Sequence, residues 1–187
     1  MEFTGERVVL EGMRSGDPDR QAHFDRIITE HITRYEWAAA QCKGKTVLDA
    51  ASGSGYGTKM LREVAKSAIG VDASEEAVEY SGEGFSVCDL ERDFPTGEFD
   101  VVVSFETIEH LADPSKFLCN CAQHAKTLLF SIPLNNATEF HLETYTLDEA
   151  KYLIGQYFKN VTWYEQTLDR IEPLTKEGRF LVGVAHV

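Results

Sequence analysis

The chain has 187 residues, of which 43% are hydrophobic and 26% are charged. That length and composition are typical of one globular domain, so residues 1–187 are predicted to form a single domain. The formal net charge of −13 repels phosphate backbones at long range and argues against nucleic acid as a substrate. No apolar run reaches the roughly 18 residues that span a bilayer, and the N-terminus lacks the pattern of a signal peptide. The sequence therefore predicts a cytoplasmic protein without membrane contact, either a monomer or a homodimer.

The first 42 residues are predicted to form an N-terminal segment. Residues 1–17 contain scattered glycines and are predicted to be irregular. A helix follows over Pro18–Cys42, because apolar residues recur there at helical spacing and Asp17 before the proline suits a helix N-terminus. We expect this helix to close like a lid over residues 43–187, which form the core of the fold.

Beyond residue 42, short apolar runs that predict strands alternate with helical patterns. The seven predicted strands are Thr46–Asp49, Ala68–Val71, Phe85–Cys88, Asp100–Ser104, Thr127–Ser131, Val161–Tyr164 and Arg179–Val187. The helices between them run to about Ala65 and over about Glu75–Tyr80, Pro114–Ala122 and Thr146–Phe158. A loop over residues 165–178 joins the last two strands, which makes the final strand antiparallel. The predicted fold class is α/β, a doubly wound, seven-stranded and mostly parallel sheet with an N-terminal helix.

A glycine-rich loop joins the first predicted strand to the next helix. It reads Val47-Leu48-Asp49-Ala50-Ala51-Ser52-Gly53-Ser54-Gly55-Tyr56-Gly57. The glycines at positions 53 and 55 allow the backbone to approach a ligand closely, although similar loops occur as tight turns in many folds. A nicotinamide dinucleotide fits the loop less well, because its fingerprint has glycine or alanine where Thr58 stands.

Three acidic residues stand at the ends of the first three predicted strands. Asp49 can orient the loop or a ligand ammonium group, and Asp72 can accept hydrogen bonds from both hydroxyls of a ribose. Asp89, next to the apolar Leu90, can accept from an exocyclic amine such as that of adenine. Ligands of open α/β sheets bind at the carboxyl ends of strands, so the loop and the three acids predict one ligand site.

With these residues the chain resembles the class I S-adenosylmethionine-dependent methyltransferases, in particular the broad group often called type 11. The family pattern is an acid followed by alternating glycines. Here it reads Asp49-x-Ala51-x-Gly53-x-Gly55, with alanine in place of the first glycine. The resemblance implies S-adenosylmethionine as the cofactor, with the two glycines beside its methionine part, Asp72 at its ribose and Asp89 at its adenine. The cofactor-binding residues that it implies are Asp49, Ala51, Gly53, Gly55, Tyr56, Asp72, Ala73, Asp89, Leu90, Phe105 and Tyr35.

The acceptor side of the site is predicted to follow the fourth strand. Glu106, Glu109 and His110 stand at i, i+3 and i+4, a spacing that shares one face of a helical turn, and His141 follows the fifth strand. Two functional interpretations stay open beside a purely structural one. In the first, His110 is a general base and Glu106 makes the pocket negative for a cationic cofactor. In the second, all four side chains bind a divalent metal such as Mg or Mn, with Zn or Fe as further candidates, and the metal lowers the pKa of an acceptor hydroxyl.

This spacing resembles metal-assisted methyltransferases, among them the O-methyltransferases of the ubiquinone pathway and the enzymes that methylate the terminal 2′-hydroxyl of small RNAs. The segment Gly5-Glu6-Arg7 and the helical face of His31, Arg34 and Tyr35 resemble bacterial and phage methyltransferases associated with glycan or nucleotide-sugar chemistry. Either Tyr35 contacts the methionine end of the cofactor, or Tyr35 is a core residue and Arg34 is solvated.

The predicted function is therefore S-adenosylmethionine-dependent methylation of a small-molecule acceptor, by O-methylation of a sugar, a phenol or another metabolite. Two alternatives stay open. One is a cofactor-binding partner subunit without activity of its own, and the other is metal-assisted 2′-O-methylation of an RNA end.

Overall fold

A computed structural model describes residues 8–138, 140–176 and 178–187 of the chain. Within these residues the strands are β1 (Thr46–Ala50), β2 (Ser67–Asp72), β3 (Phe85–Val87), β4 (Phe99–Phe105), β5 (Ala125–Pro133), β6 (Asn160–Thr167), β7 (Arg170–Pro173) and β8 (Phe180–His186). The helices are α1 (Pro18–Cys42), α2 (Tyr56–Arg62), α3 (Glu75–Ser81), α4 (Pro114–His124) and α5 (Leu147–Gly155), and a 3-10 turn spans Ile108–His110. The strands form one sheet in the order β3-β2-β1-β4-β5-β8-β6-β7.

The strand order places a crevice in the middle of the sheet. The strands β3, β2, β1, β4 and β5 pair in parallel, while β8 lies antiparallel between β5 and β6. From β1 the chain continues outward through β2 and β3, and it then returns to the other side of β1 as β4. The connections after β1 and β4 therefore run to opposite sides of the sheet. Open α/β sheets bind ligands in the crevice between two such strands. The predicted doubly wound, mostly parallel sheet with an antiparallel last strand is confirmed.

The sheet has an eighth strand that the sequence pattern did not predict. The stretch 165–178, predicted as a loop, contains the end of β6 and all of β7, which pair as an antiparallel hairpin. Leu168 in the turn adopts a left-handed backbone conformation with φ of 45°. The strand β7 has four residues, three of them exposed, so it carries no apolar alternation by which it could be recognised.

Both faces of the sheet are covered by helices, which explains why the middle residues of its central strands form continuous apolar runs. Leu48, Val102 and Leu128 point to the face covered by α4 and α5. Their chain neighbours Val47 and Val103 point to the opposite face, where α1 and α2 pack, because side chains alternate along a strand. Within the described residues, no helix combines the length and the apolarity that crossing a bilayer requires.

The N-terminal helix α1 begins at Pro18 as predicted, and the Asp17 side chain caps it by accepting from the Arg20 backbone N–H. The irregular segment predicted before it is observed from residue 8, whereas residues 1–7, including Gly5-Glu6-Arg7, lie outside the described residues. Helix α1 packs directly on α2 because Gly57 leaves room for the ring of Tyr35. A Cβ atom at Gly57 would lie 2.0 Å from Tyr35 Cζ.

We expect Gly57→Ala to destabilise the protein by about 1 to 3 kcal/mol, because the added methyl overlaps a buried ring that cannot move without disturbing the α1–α2 contact. Urea unfolding followed by circular dichroism measures the change. The matched control is Gly155→Ala at the end of α5, where no atom lies within 4 Å of the added Cβ and no loss of stability is expected. Equal stability of the wild type and Gly57→Ala would contradict the tight packing.

Candidate active site

A cavity of about 770 Å³ opens where β1, β2 and β4 end, and α1 forms one of its walls. Most residues predicted for the site line it: Tyr35, Ala51, Gly53, Tyr56, Asp72, Ala73, Asp89, Leu90, Phe105, Glu106, His110 and His141. Asp49, Gly55 and Glu109 do not contribute to the lining. The volume lies in the range of roughly 300 to 1,000 Å³ that is typical of small-molecule sites.

The glycine-rich loop is shaped by Asp72 at the end of β2. One oxygen of this carboxylate accepts from the Gly53 backbone N–H at 2.9 Å, and the other accepts from the Ser74 N–H at 2.9 Å. Gly53 has φ of 55°, and no atom lies within 4 Å of the position of a Cβ, so the loop leaves space beside it. Ala51, which replaces the first glycine of the motif, also has a positive φ of 61°, a conformation that costs alanine more than glycine.

Gly55 does not line the cavity, contrary to the expectation that it lets the backbone approach a ligand. Its φ is 78°. A Cβ there would lie 2.6 Å from Ser81 Oγ and 2.7 Å from Phe85 Cζ. The glycine is therefore required for packing of the loop against α3 and β3, on the protein side rather than the cavity side.

Asp49 lies beneath the cavity and braces its wall. The residue is fully buried, and its carboxylate accepts from Thr58 Oγ1 at 2.6 Å and from the Tyr35 hydroxyl at 3.1 Å. Burial raises the pKa of Asp49 to about 7, although both hydrogen bonds oppose the rise. Tyr35 in turn meets the rings of Tyr56 and Phe105 edge-on, with centroids 5.4 Å and 5.2 Å apart. Asp49 thus fixes the aromatic wall of the cavity.

Glu106 connects β4 to α1 through a buried ion pair. Its carboxylate pairs with Arg34 Nη2 and lies 3.0 Å from His31 Nε2. Arg34 also donates from Nη1 to Gln166 Oε1 at 2.7 Å. Burial lowers the pKa of Arg34 to about 10, so the guanidinium keeps its charge near neutral pH. The interpretation of Arg34 as solvated is wrong, because the residue is fully buried.

His31 joins this ion pair to the glycine-rich loop. Burial, followed by the charge of Arg34, lowers the pKa of His31 well below its usual value, so the ring is neutral near pH 7. Since Glu106 accepts from Nε2, the other nitrogen Nδ1 accepts from the Tyr56 hydroxyl at 2.7 Å. His31, Tyr56 and Glu106 form one hydrogen-bonded chain along the cavity wall.

Three of the four predicted metal ligands come together at the wall of the cavity, with His110 and His141 in its lining and Glu109 behind them. One ligand atom each of Glu109, His110 and His141 lies within 4.8 Å of the others, and the two imidazole rings meet edge-on at 4.9 Å. Nδ1 of His110 donates to the Phe140 carbonyl at 2.8 Å, and Nδ1 of His141 donates to the Asn136 carbonyl at 2.6 Å. Each ring therefore carries its lone pair on Nε2.

Glu106 does not belong to this group, contrary to the prediction that it shares a helical face with Glu109 and His110. The helical turn begins only at Ile108, and Glu106 has φ of 50°. This left-handed residue interrupts the backbone between β4 and the turn, so the i, i+3 spacing does not bring the two glutamates together. The carboxylate is directed to Arg34 instead.

Glu109 is a buried acid without compensation. It is 1% exposed, and neither carboxylate oxygen has a hydrogen-bond partner among the described residues. Burial raises its pKa to about 8, so the group is largely protonated at neutral pH. A buried carboxyl group beside two imidazoles fits a cation site, because a cation would displace its proton and compensate the charge of the resulting carboxylate.

Several cavity residues were not identified as site residues from the sequence. His23, Arg179, Phe140 and Phe180 line the cavity but belong to no motif. They share only their position beside the cavity. His23 lies on α1, Phe140 follows β5, and Arg179 and Phe180 lie at the start of β8. His31 could have been found, because it shares a helical face with Arg34 and Tyr35.

Comparison with known proteins identifies similar chains. The family model described as a methyltransferase domain matches residues 48–127. A probable S-adenosylmethionine-dependent methyltransferase of Mycolicibacterium smegmatis is 33% identical over 64% of this chain and 45% of its own length. A ubiquinone biosynthesis O-methyltransferase of Methylococcus capsulatus is 29% identical over 74% of this chain and 63% of its own length.

Solved structures extend the likeness to the fold. The TehB-like SAM-dependent methyltransferase from Corynebacterium glutamicum superposes with a TM-score of 0.69 over 91% of this chain and 99% of its own, at 16% identity. The chain spans about half the length of the first curated relatives it matches. The region that the family model matches, residues 48–127, contains the end of β1, the glycine-rich loop and β4, which contribute to the cavity.

The pKa of Glu109 predicts a pH dependence of stability. The folded protein favours the protonated acid, so this group lowers the free energy of unfolding as pH rises from its usual pKa of 4.5 to about 8. Relative to Glu109→Gln, which cannot ionise, we expect the metal-free wild type to lose about 2 to 4 kcal/mol between pH 4.5 and 8. Urea unfolding of both proteins in chelator across this range measures the difference. A difference that stays constant with pH would contradict the raised pKa.

Proposed function

We propose that the chain, which is similar to S-adenosylmethionine-dependent methyltransferases, binds S-adenosylmethionine in the cavity and transfers the methyl group to a hydroxyl of a small-molecule acceptor. The observation that carries the proposal is the cavity itself, where the acids at the ends of β2 and β3 and the glycine-rich loop line the same space as the imidazoles of His110 and His141. The similarity to ubiquinone biosynthesis O-methyltransferases favours oxygen as the methylated atom.

The cofactor would occupy the side of the cavity formed by β1, β2 and β3. Asp72, whose carboxylate is held in place by the backbone N–H groups of Gly53 and Ser74, would accept hydrogen bonds from the ribose hydroxyls. Asp89 is half-exposed beside the buried Leu90, which suits an amine at the edge of an adenine ring. Tyr35 and Phe105 would border the methionine part. The cofactor supplies a methyl group on a positively charged sulfur.

The charge of the cavity favours that cofactor. Asp72, Asp89 and Glu106 all line it, and carboxylates attract a sulfonium more strongly than the neutral thioether that remains after transfer. Rigid placement of the two reactants provides much of the rate of an in-line displacement. The hydrogen-bonded chain of Tyr56, His31 and Glu106 supports this placement, because it fixes α1 against the loop.

For the acceptor side, we propose that Glu109, His110 and His141 hold a divalent cation. The fit rests on the orphaned carboxylate of Glu109 and on the two histidines, whose Nδ1 atoms are oriented by backbone carbonyls as in many metal sites. Two imidazoles and one carboxylate suit Mn, Fe or Zn better than Mg, which prefers oxygen ligands. A cation there would lower the pKa of an acceptor hydroxyl. Without a cation, His110 Nε2 could accept the hydroxyl proton itself.

The test of the cofactor site is calorimetric titration with S-adenosylmethionine. We expect micromolar affinity for the wild type, equivalent to about −8 kcal/mol. Asp72→Ala is expected to weaken binding at least about tenfold, because it removes the ribose acceptor and loosens the loop. The matched control is Asp148→Ala, an exposed acid on α5 away from the cavity. Undetectable binding by the wild type would overturn the proposed function.

The test of the cation site is titration with Mn²⁺ at several pH values. A cation must displace the proton of Glu109, whose pKa is about 8. We therefore expect the affinity to rise about tenfold per pH unit below pH 8 and to level off above it. His141→Ala and Glu109→Gln should abolish the binding, and His124→Ala on the surface of α4 should not. Binding of equal strength in the wild type and in His141→Ala would contradict the site.

Methyl transfer distinguishes the remaining alternatives. Transfer from labelled S-adenosylmethionine to phenolic or sugar hydroxyls would support the proposal, and loss of transfer in chelator would favour the cation over His110 acting alone. Cofactor binding without transfer to any hydroxyl would favour a cofactor-binding partner subunit. The net charge of −13 weighs against an RNA end as the acceptor.

A further inference from the structure

Arg179 is a cavity residue that the proposed chemistry does not use. It directly precedes β8, its side chain is 39% exposed, and it lines the same cavity as the cofactor loop. Its guanidinium carbon lies 5.1 Å from the centroid of the buried Phe180 ring, and Arg34 lies 4.6 Å from the same centroid. Arg179 is therefore on the α1 and β8 side of the cavity, whereas Asp72 and Asp89 follow β2 and β3.

The guanidinium of Arg179 is only partly used. A single nitrogen, Nη1, donates to both carboxylate oxygens of Glu30, at 2.9 Å and 3.2 Å. Arginine has five N–H donors in a planar fork, and among the described residues Nε and Nη2 of Arg179 donate to no protein atom. Nε and Nη2 together form one edge of the fork, and this unused edge can bind a carboxylate or a phosphate with two parallel hydrogen bonds.

The charges around Arg179 leave an excess of positive charge. Glu30 is buried, and it pairs with two guanidinium groups, since Arg26 Nε lies 3.1 Å from the same oxygen that Arg179 contacts. One carboxylate cannot neutralise both. Arg26 is more than half exposed and does not line the cavity, so Arg179 is the one of these two guanidinium groups that faces the cavity. In a protein of net charge −13, the positive side chain of Arg179 distinguishes this side of the cavity from the acidic side formed by Asp72 and Asp89.

We propose that Arg179 determines acceptor specificity by binding a carboxylate or phosphate group of the acceptor. The inference rests on the proposed function, because the β2 and β3 side must hold the cofactor for the α1 and β8 side to receive the acceptor. The substrate class is then a hydroxylated small molecule that also carries an acidic group. Ion pairing with that group holds the hydroxyl end in one orientation toward the transferred methyl group.

The experiment compares probes that differ mainly in charge. Benzoate and its neutral isostere benzamide, with phenyl phosphate as the second anion, are titrated by ligand-observed NMR into the protein saturated with S-adenosylhomocysteine. We expect at least one anion to bind tenfold or more tightly than benzamide, and the stronger anion identifies the carboxylate or the phosphate as the preferred group. Arg179→Met is expected to remove that preference, and Arg179→Lys to retain part of it.

Arg26→Met is the matched control, because it removes the other cation from Glu30 without changing the cavity wall. It should leave the anion preference unchanged. The proposal is overturned if neither anion binds better than benzamide, if the preference survives in Arg179→Met, or if Arg26→Met loses it equally.

It is also overturned if Arg179→Met weakens S-adenosylhomocysteine binding tenfold, since the guanidinium would then serve the cofactor's own carboxylate. If the wild type does not bind S-adenosylhomocysteine at all, the proposed function fails, while the same titrations on the cofactor-free protein still test Arg179.

Discussion

The architecture of the site depends on one buried charge, the guanidinium of Arg34. A fully buried arginine must be paired and hydrogen-bonded, since an uncompensated charge is strongly destabilising in the protein interior. Its partners come from distant parts of the chain: Glu106 follows β4, Gln166 belongs to β6, and Phe180 begins β8. These contacts of Arg34 therefore fix α1 across the carboxyl ends of the strands, where its residues form one wall of the cavity.

The same constraint separates two glutamates that are only three residues apart. Glu106 is drawn to Arg34 and adopts a left-handed backbone conformation, so the following turn starts afresh and carries Glu109 into the protein interior. One acid acquires a cation as its partner, and the other acquires none. Carboxyl groups in such different environments serve different chemistry. Here the first would stabilise the wall and the charge of the cofactor side, and the second would be available to a cation beside His110 and His141.

The sequence predicted the parts of this structure that depend on local pattern. The alternation of strands and helices, the glycine-rich loop and the acid at the end of β2 follow from periodicity and from the rule that parallel strands end at a common edge. The strand β7 was missed because its residues are polar and exposed, and its pairing depends on a hairpin turn without glycine or proline. The position of Glu106 was missed because a helical spacing is informative only where a helix exists. Whether the backbone is helical at Glu106 depends on its contact with Arg34, which is 72 residues away in the chain.

Gly55 and Gly57 show that ligand binding does not explain every glycine of the motif. Both belong to the loop that marks the cofactor site, yet each is required by a protein neighbour: Ser81 and Phe85 at the first, Tyr35 at the second. Close packing of α1 and α3 on the loop is what allows Asp49 to reach Tyr35 from below and His31 to reach Tyr56 from above. The loop is thus held by protein contacts on both sides, and residues 51–54 and Tyr56 face the cavity. Such contacts preorganise the loop for a ligand, and preorganisation is the condition under which positioning would contribute most to the proposed methyl transfer.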